Sequence, residues 1–169
     1  MRSFLSILLT FAATAAFAQS DAKTSFDKLK TLAGVWEGTM TTDPPAKEVE
    51  GATVRVTLRV TSMGNALMHE LRLSTRPDDP ITMFYIDDGK LLLTHYCDAG
   101  NRPRMKGGLT PEGQIDFQFL DVAGPLNHGH MHHSTFSFVD ADHHTEDWTY
   151  MMPGDKSVRA HVELTRVKQ

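Results

Sequence analysis

The sequence has little that would support several common classes of protein. Its 169 residues contain one cysteine, Cys97, which excludes an internal disulfide and a zinc site built from several cysteines. The 17 lysines and arginines are outnumbered by 21 aspartates and glutamates, and the net charge of −4 comes without a basic run that would bind nucleic acid. No Gly-x-Ser-x-Gly, His-Glu-x-x-His, phosphate-loop or dinucleotide motif is present. We therefore expect no nucleic-acid partner and none of these enzyme families.

Residues 1–18 have the pattern of a secretory signal peptide. Arg2 supplies the positive charge, an apolar run follows over residues 4–16, and Ala16-Phe17-Ala18 matches the small-x-small cleavage pattern. The run is about 13 residues long, whereas a membrane-spanning helix needs about 20. The sequence therefore predicts cleavage after Ala18, export to the periplasm or the extracellular space, and no stable membrane insertion.

Apolar and polar residues alternate through most of the remaining chain, which is the period of a β-strand with one buried face. The clearest example is the segment 52–60, in which alanine, valine or leucine occupies every second position. Turn-forming Gly, Pro, Asn and Asp residues separate such segments. The predicted strands lie near 34–42, 51–62, 65–75, 81–87, 90–97, 102–109, 114–121, 130–139, 143–152 and 156–167.

Ten consecutive strands with short links predict an all-β fold, an antiparallel up-and-down barrel, because closure removes the exposed strand edges. Apolar spacing over residues 25–32 predicts a short helix before the first strand, with Ser25 as its N-cap. No linker or change of composition interrupts residues 25–167. We therefore predict a single barrel domain over residues 19–169.

The motif Gly34-Val35-Trp36 on the first strand resembles the Gly-x-Trp signature of lipocalin-like (calycin) barrels. In those barrels a basic residue of the last strand packs over the tryptophan at the closed end, and Arg166 stands at the corresponding place. The resemblance implies a structural role for Trp36 and Arg166, which would close the end of the barrel by stacking a guanidinium on an aromatic ring.

Two further resemblances bear on function. The pattern Gly34-x-Trp36-x-Gly38 is similar to the start of nitrobindin-type barrels, which have ten strands and bind haem, and this resemblance implies a haem ligand at His161. Alternation along the last strand, however, places His161 on the outer face. The segment 93–105 resembles uncharacterised exported bacterial barrel proteins, which imply no function.

Several polar residues share the strand face of apolar neighbours and are therefore expected inside the barrel. They are His69, His95, His130, His132, His144 and Glu146, with the aromatic residues Trp148 and Tyr150 beside them. A loop over 140–142 predicts the cross-strand pairs Phe138–His144, Phe136–Glu146, Ser134–Trp148 and His132–Tyr150.

Burying that many unpaired polar groups would cost about 1–3 kcal/mol each, so a cavity that holds a ligand is the less costly arrangement. The sequence therefore predicts an exported small-molecule binding protein, with the residues named above as ligand-binding residues and no assigned catalytic residue. One alternative is a divalent metal on His130, His132 and His144, or a haem, as cofactor. Another is a small isomerase or lyase in which Glu146 and a histidine exchange protons with the substrate.

Cys97 is expected to be an inert buried thiol rather than a nucleophile paired with His95.

Overall fold

The computed structural model describes residues 11–49 and 51–168, which form one α-helix, a short 3₁₀ turn over Ser62–Gly64 and ten β-strands. The helix is α1 (Phe11–Lys30), and the strands are β1 (Gly34–Asp43), β2 (Thr53–Thr61), β3 (Ala66–Leu73), β4 (Ile81–Asp87), β5 (Lys90–Tyr96), β6 (Arg102–Leu109), β7 (Ile115–Ala123), β8 (His130–Phe138), β9 (His143–Met152) and β10 (Lys156–Arg166). Each strand pairs antiparallel with its neighbours in sequence, and β1 also pairs with β10. The predicted all-β, ten-stranded closed barrel is confirmed.

The alternation of apolar and polar side chains explains why these segments form strands. In β2, Val54, Val56 and Leu58 are buried inside the barrel, while Thr53, Arg55 and Arg59 on the opposite face are exposed. The strand thus presents an apolar face to the interior and a polar face to solvent, as an alternation with a period of two requires.

Closure of the barrel depends on a close approach of β1 and β10. Gly38 pairs with Leu164, and a Cβ atom added at Gly38 would lie 1.7 Å from the carbonyl oxygen of Glu163. Only glycine leaves room for this contact, so the second glycine of the Gly-x-Trp-x-Gly motif has a steric role in the fold.

The helix α1 covers one end of the barrel. It contacts β4, β5 and β6, and its buried residues Ala22, Phe26 and Leu29 belong to the same apolar cluster as the barrel interior. The predicted start at Ser25 is wrong, because Ser25 lies inside the helix. Its hydroxyl donates to the carbonyl oxygen of Asp21 at 2.8 Å and accepts from the amide of Leu109 at 2.9 Å.

The end of the barrel covered by α1 is closed by Trp36 and Arg166. These residues are cross-strand partners, and the Arg166 guanidinium lies 4.0 Å from the centre of the Trp36 ring. Trp36 is fully buried and donates from Nε1 to the carbonyl oxygen of Leu32 at 2.8 Å, while Arg166 donates to the carbonyl oxygens of Ala33 and Thr31. The pair therefore ties the barrel to the turn that follows α1.

Part of the predicted signal peptide lies outside the described residues. This part is residues 1–10, whereas residues 11–18 form the beginning of α1. Cleavage after Ala18 stays a prediction. Among the described residues, no helix is both long and apolar enough to cross a membrane.

Candidate functional site

The barrel is filled at one end and hollow at the other. Towards α1 the interior is packed with fully buried side chains such as Trp36, Phe84, Phe117 and Phe136. Towards the opposite end a cavity of about 620 Å³ remains. Its lining comprises Met40, Thr42, Ala46, Glu48, Val49, His69, Leu71, Leu73, Arg76, Asp78, Pro80, Thr82, His95, Cys97, Asp98, Met131, Trp148, Tyr150, Val158 and Ala160. A volume of this size is typical of a small-molecule site.

Polar groups lie among the most deeply buried residues of this lining. His69, Thr82, His95 and Trp148 are at most 6% exposed, and both histidine rings pack against the Trp148 ring, with centroids 5.8 and 5.9 Å away. Thr82 Oγ1 is hydrogen-bonded to His95 Nδ1 at 2.8 Å, which leaves Nε2 as the ring nitrogen of His95 that can meet a ligand. Burial lowers the pKa of His95 to about 4, and repulsion from His69 acts in the same direction. His95 is therefore a neutral hydrogen-bonding group at neutral pH.

Beneath this surface lies Glu146, whose carboxylate is fully buried and does not line the cavity. His69 Nε2 lies 3.0 and 3.2 Å from its two oxygens, His144 Nε2 lies 3.1 Å from Oε1, and Trp148 Nε1 donates to Oε2 at 3.0 Å. Burial alone would raise the pKa of Glu146, but the charge of His69 and the hydrogen bonds from His144 and His69 outweigh it and hold the pKa below its usual value. Because an ionised carboxylate only accepts hydrogen bonds, both histidines carry a proton on Nε2.

The second nitrogen of each of these histidines is unsatisfied. Nδ1 of His69 and Nδ1 of His144 are buried without a hydrogen-bond partner in the described part of the chain. His144 is packed against the Trp36 ring, with centroids 4.2 Å apart, at the filled end of the barrel. His69, by contrast, belongs to the lining of the cavity, although its Nδ1 atom is itself buried.

The mouth of the cavity carries charged residues on the loops. Arg76 forms ion pairs with Asp78 and Asp98, and this links the β3–β4 loop to the β5–β6 loop. Glu48 of the β1–β2 loop also lines the cavity. Burial would raise the pKa of Asp98, but the hydrogen bond from Cys97 and the charge of Arg76 hold that pKa below its usual value. Three carboxylates against one guanidinium give the charged part of the lining a net negative charge.

Two other residues of the lining are weak as nucleophile or base. Burial raises the pKa of the Cys97 thiol to about 11, and the thiol donates to Asp98 Oδ1 at 3.3 Å. Burial also raises the pKa of Tyr150 to about 12, and its hydroxyl donates to the carbonyl oxygen of His128 at 2.7 Å. Both groups are therefore neutral at physiological pH, and a thiolate nucleophile at Cys97 is not supported.

Four of the predicted site residues thus line the cavity, namely His69, His95, Trp148 and Tyr150. His144 and Glu146 face inward as expected, and the pairs Phe138–His144, Phe136–Glu146 and Ser134–Trp148 occur in the structure. These two residues lie below the cavity in the filled part of the barrel, where they support its inner surface rather than form it.

The prediction that His130 and His132 point into the cavity is wrong. A β-bulge between Met131 and His133 shifts the register of β8, so that Met131 instead of His132 pairs with Tyr150 and lines the cavity. His130 and His132 lie half-buried beside the Phe119 ring, each with its centroid 4.8 Å from the centre of that ring. Both residues lie beyond Gln118–His133, which is the last pair of residues that joins β7 to β8 on this side.

The predicted metal ligands are likewise not brought together. His130 pairs with Met151, seven positions along β9 from His144, which corresponds to about 23 Å at about 3.3 Å per residue. Within residues 11–49 and 51–168, no group of three or more histidine, cysteine, aspartate or glutamate side chains is arranged to hold a metal ion. His161, the implied haem ligand, bonds to Asp147 at 2.7 Å outside the cavity lining, as alternation predicts, so it does not fit a haem inside the barrel.

Sequence reasoning missed several members of the lining. Thr82 shares the inner face of its strand with buried Phe84, and alternation along β4 could have identified it. Met131 is the apolar residue among four nearby histidines, which could have indicated that it, rather than its neighbours, faces inward. Arg76 and Asp98 lie in loops, where no periodicity indicates direction.

Comparison with known proteins identifies the fold. No protein-family model and no curated protein matches the sequence. Among solved structures, the chain is similar to a protein of unknown function of the DUF3598 family from Nostoc punctiforme, with a TM-score of 0.57 and 15% identity over 82% of this chain and 49% of that one. It is also similar to Rv2717c from M. tuberculosis, with a TM-score of 0.60 and 13% identity over 85% and 97% of the two chains. An S-type phycobiliprotein lyase, CPES from Guillardia theta, gives a TM-score of 0.44 and 9% identity over 90% and 98%.

The chain spans about half the length of the DUF3598 protein and nearly all of Rv2717c. Identities of 15% and 13% show a shared fold alone. The protein is therefore a ten-stranded antiparallel barrel whose fold recurs in these structures.

Proposed function

We propose that the protein binds a small, mainly apolar molecule inside the barrel, with one polar group of that molecule at the buried end of the cavity. The observation that carries this proposal is the combination of a cavity of about 620 Å³ with the buried polar side chains of His69, Thr82 and His95 in its lining, where the bond from Thr82 to Nδ1 of His95 leaves Nε2 for a ligand. A cavity that only reflected imperfect packing would be expected to be lined by apolar side chains alone.

Apolar side chains would supply most of the affinity. Met40, Leu71, Met131 and Val158 contribute to the walls, together with Trp148. Removing about 200 Å² of apolar ligand surface from water would contribute about 5 kcal/mol at about 25 cal/mol per Å², before the costs of association. The polar residues then orient the molecule rather than hold it.

The acid–base alternative has less support. Glu146, its intended acid or base, is fully buried beneath the lining and already accepts hydrogen bonds from His69, His144 and Trp148. Since its pKa is held below the usual value, the carboxylate has little tendency to take a proton from a substrate. A binding role does not require Glu146 to accept or release a proton.

Export belongs to the same proposal. The predicted signal peptide over residues 1–18 would direct the chain out of the cytoplasm, and the barrel would then meet its ligand in the periplasm or the extracellular space. Intact mass measurement of protein recovered from the exported fraction tests this point, since cleavage after Ala18 predicts a chain that begins at Gln19.

The binding proposal can be tested with a neutral, environment-sensitive probe, 6-propionyl-2-(dimethylamino)naphthalene. We expect saturable binding with a blue-shifted emission in the wild-type protein. Leu71→Trp fills the cavity and should weaken binding at least tenfold, whereas Leu120→Trp makes the same change at an exposed position outside the lining and should not. Equal binding by both variants, or no saturable binding by the wild type, would refute the proposal.

A further inference from the structure

One pair of histidines in the described chain differs from the others in what its ring nitrogens face. Nε2 of His130 lies 3.2 Å from Nδ1 of His132, so two imidazole nitrogens are directed at each other. Other histidine rings are bonded to an acidic or hydroxyl side chain: His133 to Asp116, His143 to Asp140, His161 to Asp147, His69 and His144 to Glu146, and His95 to Thr82. The pair therefore brings together two nitrogen ligands that no carboxylate occupies.

The distance between the two nitrogens is that of a chelating pair. An imidazole nitrogen binds Zn²⁺ at about 2.0–2.1 Å, and other divalent transition metals have a similar requirement. For an ion at that distance from both nitrogens, which are 3.2 Å apart, the N–metal–N angle is roughly 103°. This angle lies between those of tetragonal and tetrahedral coordination, so both lone pairs can reach one ion without a change in the backbone.

The local fold holds both rings near this spacing. His132 is the extra residue of the β-bulge in β8 and has no paired residue in β9. A bulge redirects a side chain, and here it leaves His132 on the same side as His130. Both rings pack against Phe119 with centroids 4.8 Å from its centre, and the His132 ring is nearly parallel to it, at 18°. Ligands that are ordered beforehand lose less conformational freedom when an ion binds.

The pair is also accessible from outside. His130 and His132 are both half-buried, so each residue retains surface in contact with solvent. β7 and β8 do not pair beyond Gln118–His133, so no hydrogen-bonded strand lies along this part of β8 on the β7 side. An ion can therefore reach the two nitrogens without entering the barrel.

We propose that His130 and His132 together bind one divalent transition-metal ion of the class that prefers imidazole nitrogen, with Cu²⁺ bound more tightly than Zn²⁺. The ligand atoms are Nε2 of His130 and Nδ1 of His132. Water completes the coordination, because in the part of the chain that the structure describes no third histidine, cysteine, aspartate or glutamate joins them. The site goes beyond the proposed function, since neither histidine belongs to the cavity lining.

The chemistry of the two rings is compatible with this role. In the hydrogen bond between them one nitrogen donates and the other accepts. When two neutral rings bind an ion, the donor ring moves its proton to its other nitrogen, so no proton has to leave the protein. Burial and repulsion from His132 lower the pKa of His130, so a proton competes only weakly with a metal for this ring near pH 7.

Calorimetric titration of the protein with Cu²⁺, in a buffer that binds the ion weakly, tests the proposal. We expect one ion to bind per chain at this site, Zn²⁺ to bind more weakly, and Mg²⁺, which prefers oxygen ligands, not to bind. His130→Gln and His132→Gln should each weaken Cu²⁺ binding by about tenfold or more, because the second ligand of a chelate binds intramolecularly. His128→Gln and His143→Gln are the matched controls, since both change exposed histidines, the first in the same segment, and both should retain the wild-type affinity.

NMR with diamagnetic Zn²⁺ identifies the ligand atoms. Long-range ¹H–¹⁵N correlation should show shifts of Nε2 of His130 and Nδ1 of His132 when Zn²⁺ is added, and no shift of the His143 ring. Circular dichroism establishes that each variant folds, and if one does not, the ring-nitrogen spectra of the wild type decide. Full Cu²⁺ affinity in folded His130→Gln and His132→Gln, an equal loss in either control, or unshifted ring nitrogens would overturn the proposal. None of these results bears on the binding of an apolar molecule in the cavity.

Discussion

Lowering the pH from 7 to 4.5 should destabilise the barrel through His95. This residue is 6% exposed, and burial together with repulsion from His69 lowers its pKa from 6.5 to about 4. In the unfolded chain the ring takes up a proton as the pH falls through about 6.5, whereas in the folded chain it does so only near pH 4. The unfolded state therefore binds more protons in this window, and the free energy of unfolding decreases as the pH falls.

The size of the effect follows from the width of the window. One pKa unit corresponds to about 1.4 kcal/mol, so the two units between pH 6.5 and 4.5 correspond to a loss of about 2–3 kcal/mol. Glu146 does not contribute there. The pKa of Glu146 is lowered, so its contribution is complete above its unfolded value of about 4.5 and is lost only at lower pH.

Urea unfolding at pH 7.0 and pH 4.5 measures this loss directly. We compare the wild type with His95→Gln, which has no imidazole to protonate, and with His161→Gln, which changes a histidine that is 42% exposed. The wild type and His161→Gln should each lose about 2–3 kcal/mol more between the two pH values than His95→Gln does. If the wild type and His95→Gln lose the same free energy, His95 is not held neutral by burial and the reasoning fails.

Three further substitutions test the framework of the barrel, each by thermal and urea unfolding. Gly38→Ala should prevent folding or lower the midpoint sharply, because its Cβ would lie 1.7 Å from the Glu163 carbonyl oxygen; near-wild-type stability would contradict that contact. Arg166→Met should cost about 2 kcal/mol through loss of the contact with Trp36 and of bonds to backbone carbonyls, and no loss would show that the stacking is not stabilising. Asn101→Ala removes two hydrogen bonds to carbonyl oxygens, at 2.9 and 2.6 Å, and should cost about 2–3 kcal/mol; a change below about 0.5 kcal/mol would argue against them.

Most of the architecture could be predicted because each strand carries its own information. The alternation of Val54, Val56 and Leu58 with exposed neighbours requires a pleated segment with one buried face, wherever the segment lies in the fold. The same alternation placed His69 on the inner face correctly, whereas the run Leu91–Leu93 made His95 only a candidate for that face. Local pattern and final environment agree for these residues, so no knowledge of tertiary structure was needed.

The bulge in β8 shows where this reasoning stops. One extra residue in a strand reverses the direction of every side chain beyond it. Packing between the strands, rather than local propensity, determines whether such a bulge is stable. Here the reversal moves Met131 to the cavity and places His130 and His132 beside Phe119. Since the histidines of this segment do not alternate cleanly with apolar residues, no periodicity was available to reveal the change.

The start of α1 was missed for a related reason. A preference for helix in residues 11–24 overlaps the predicted signal peptide, and Ser25 favours an N-cap when it is considered alone. In the barrel its hydroxyl is instead bonded on two sides, to Asp21 within the helix and to Leu109 of β6. The second partner is distant in sequence, so it could not enter a prediction based on neighbouring residues.

The buried cluster around Glu146 is better explained by the cavity than by the stability of the fold. Replacing a buried ion pair with apolar side chains of similar volume is often neutral or stabilising, and fully buried Phe84 and Phe136 show that this part of the barrel accommodates such side chains. A barrel that needed only to fold could therefore dispense with the carboxylate. What the carboxylate does is fix His69 by bonds to its Nε2, so that this ring is held in place as part of the cavity lining. The same hydrogen bonds that offset the cost of burying the carboxylate therefore also orient a side chain of the binding site.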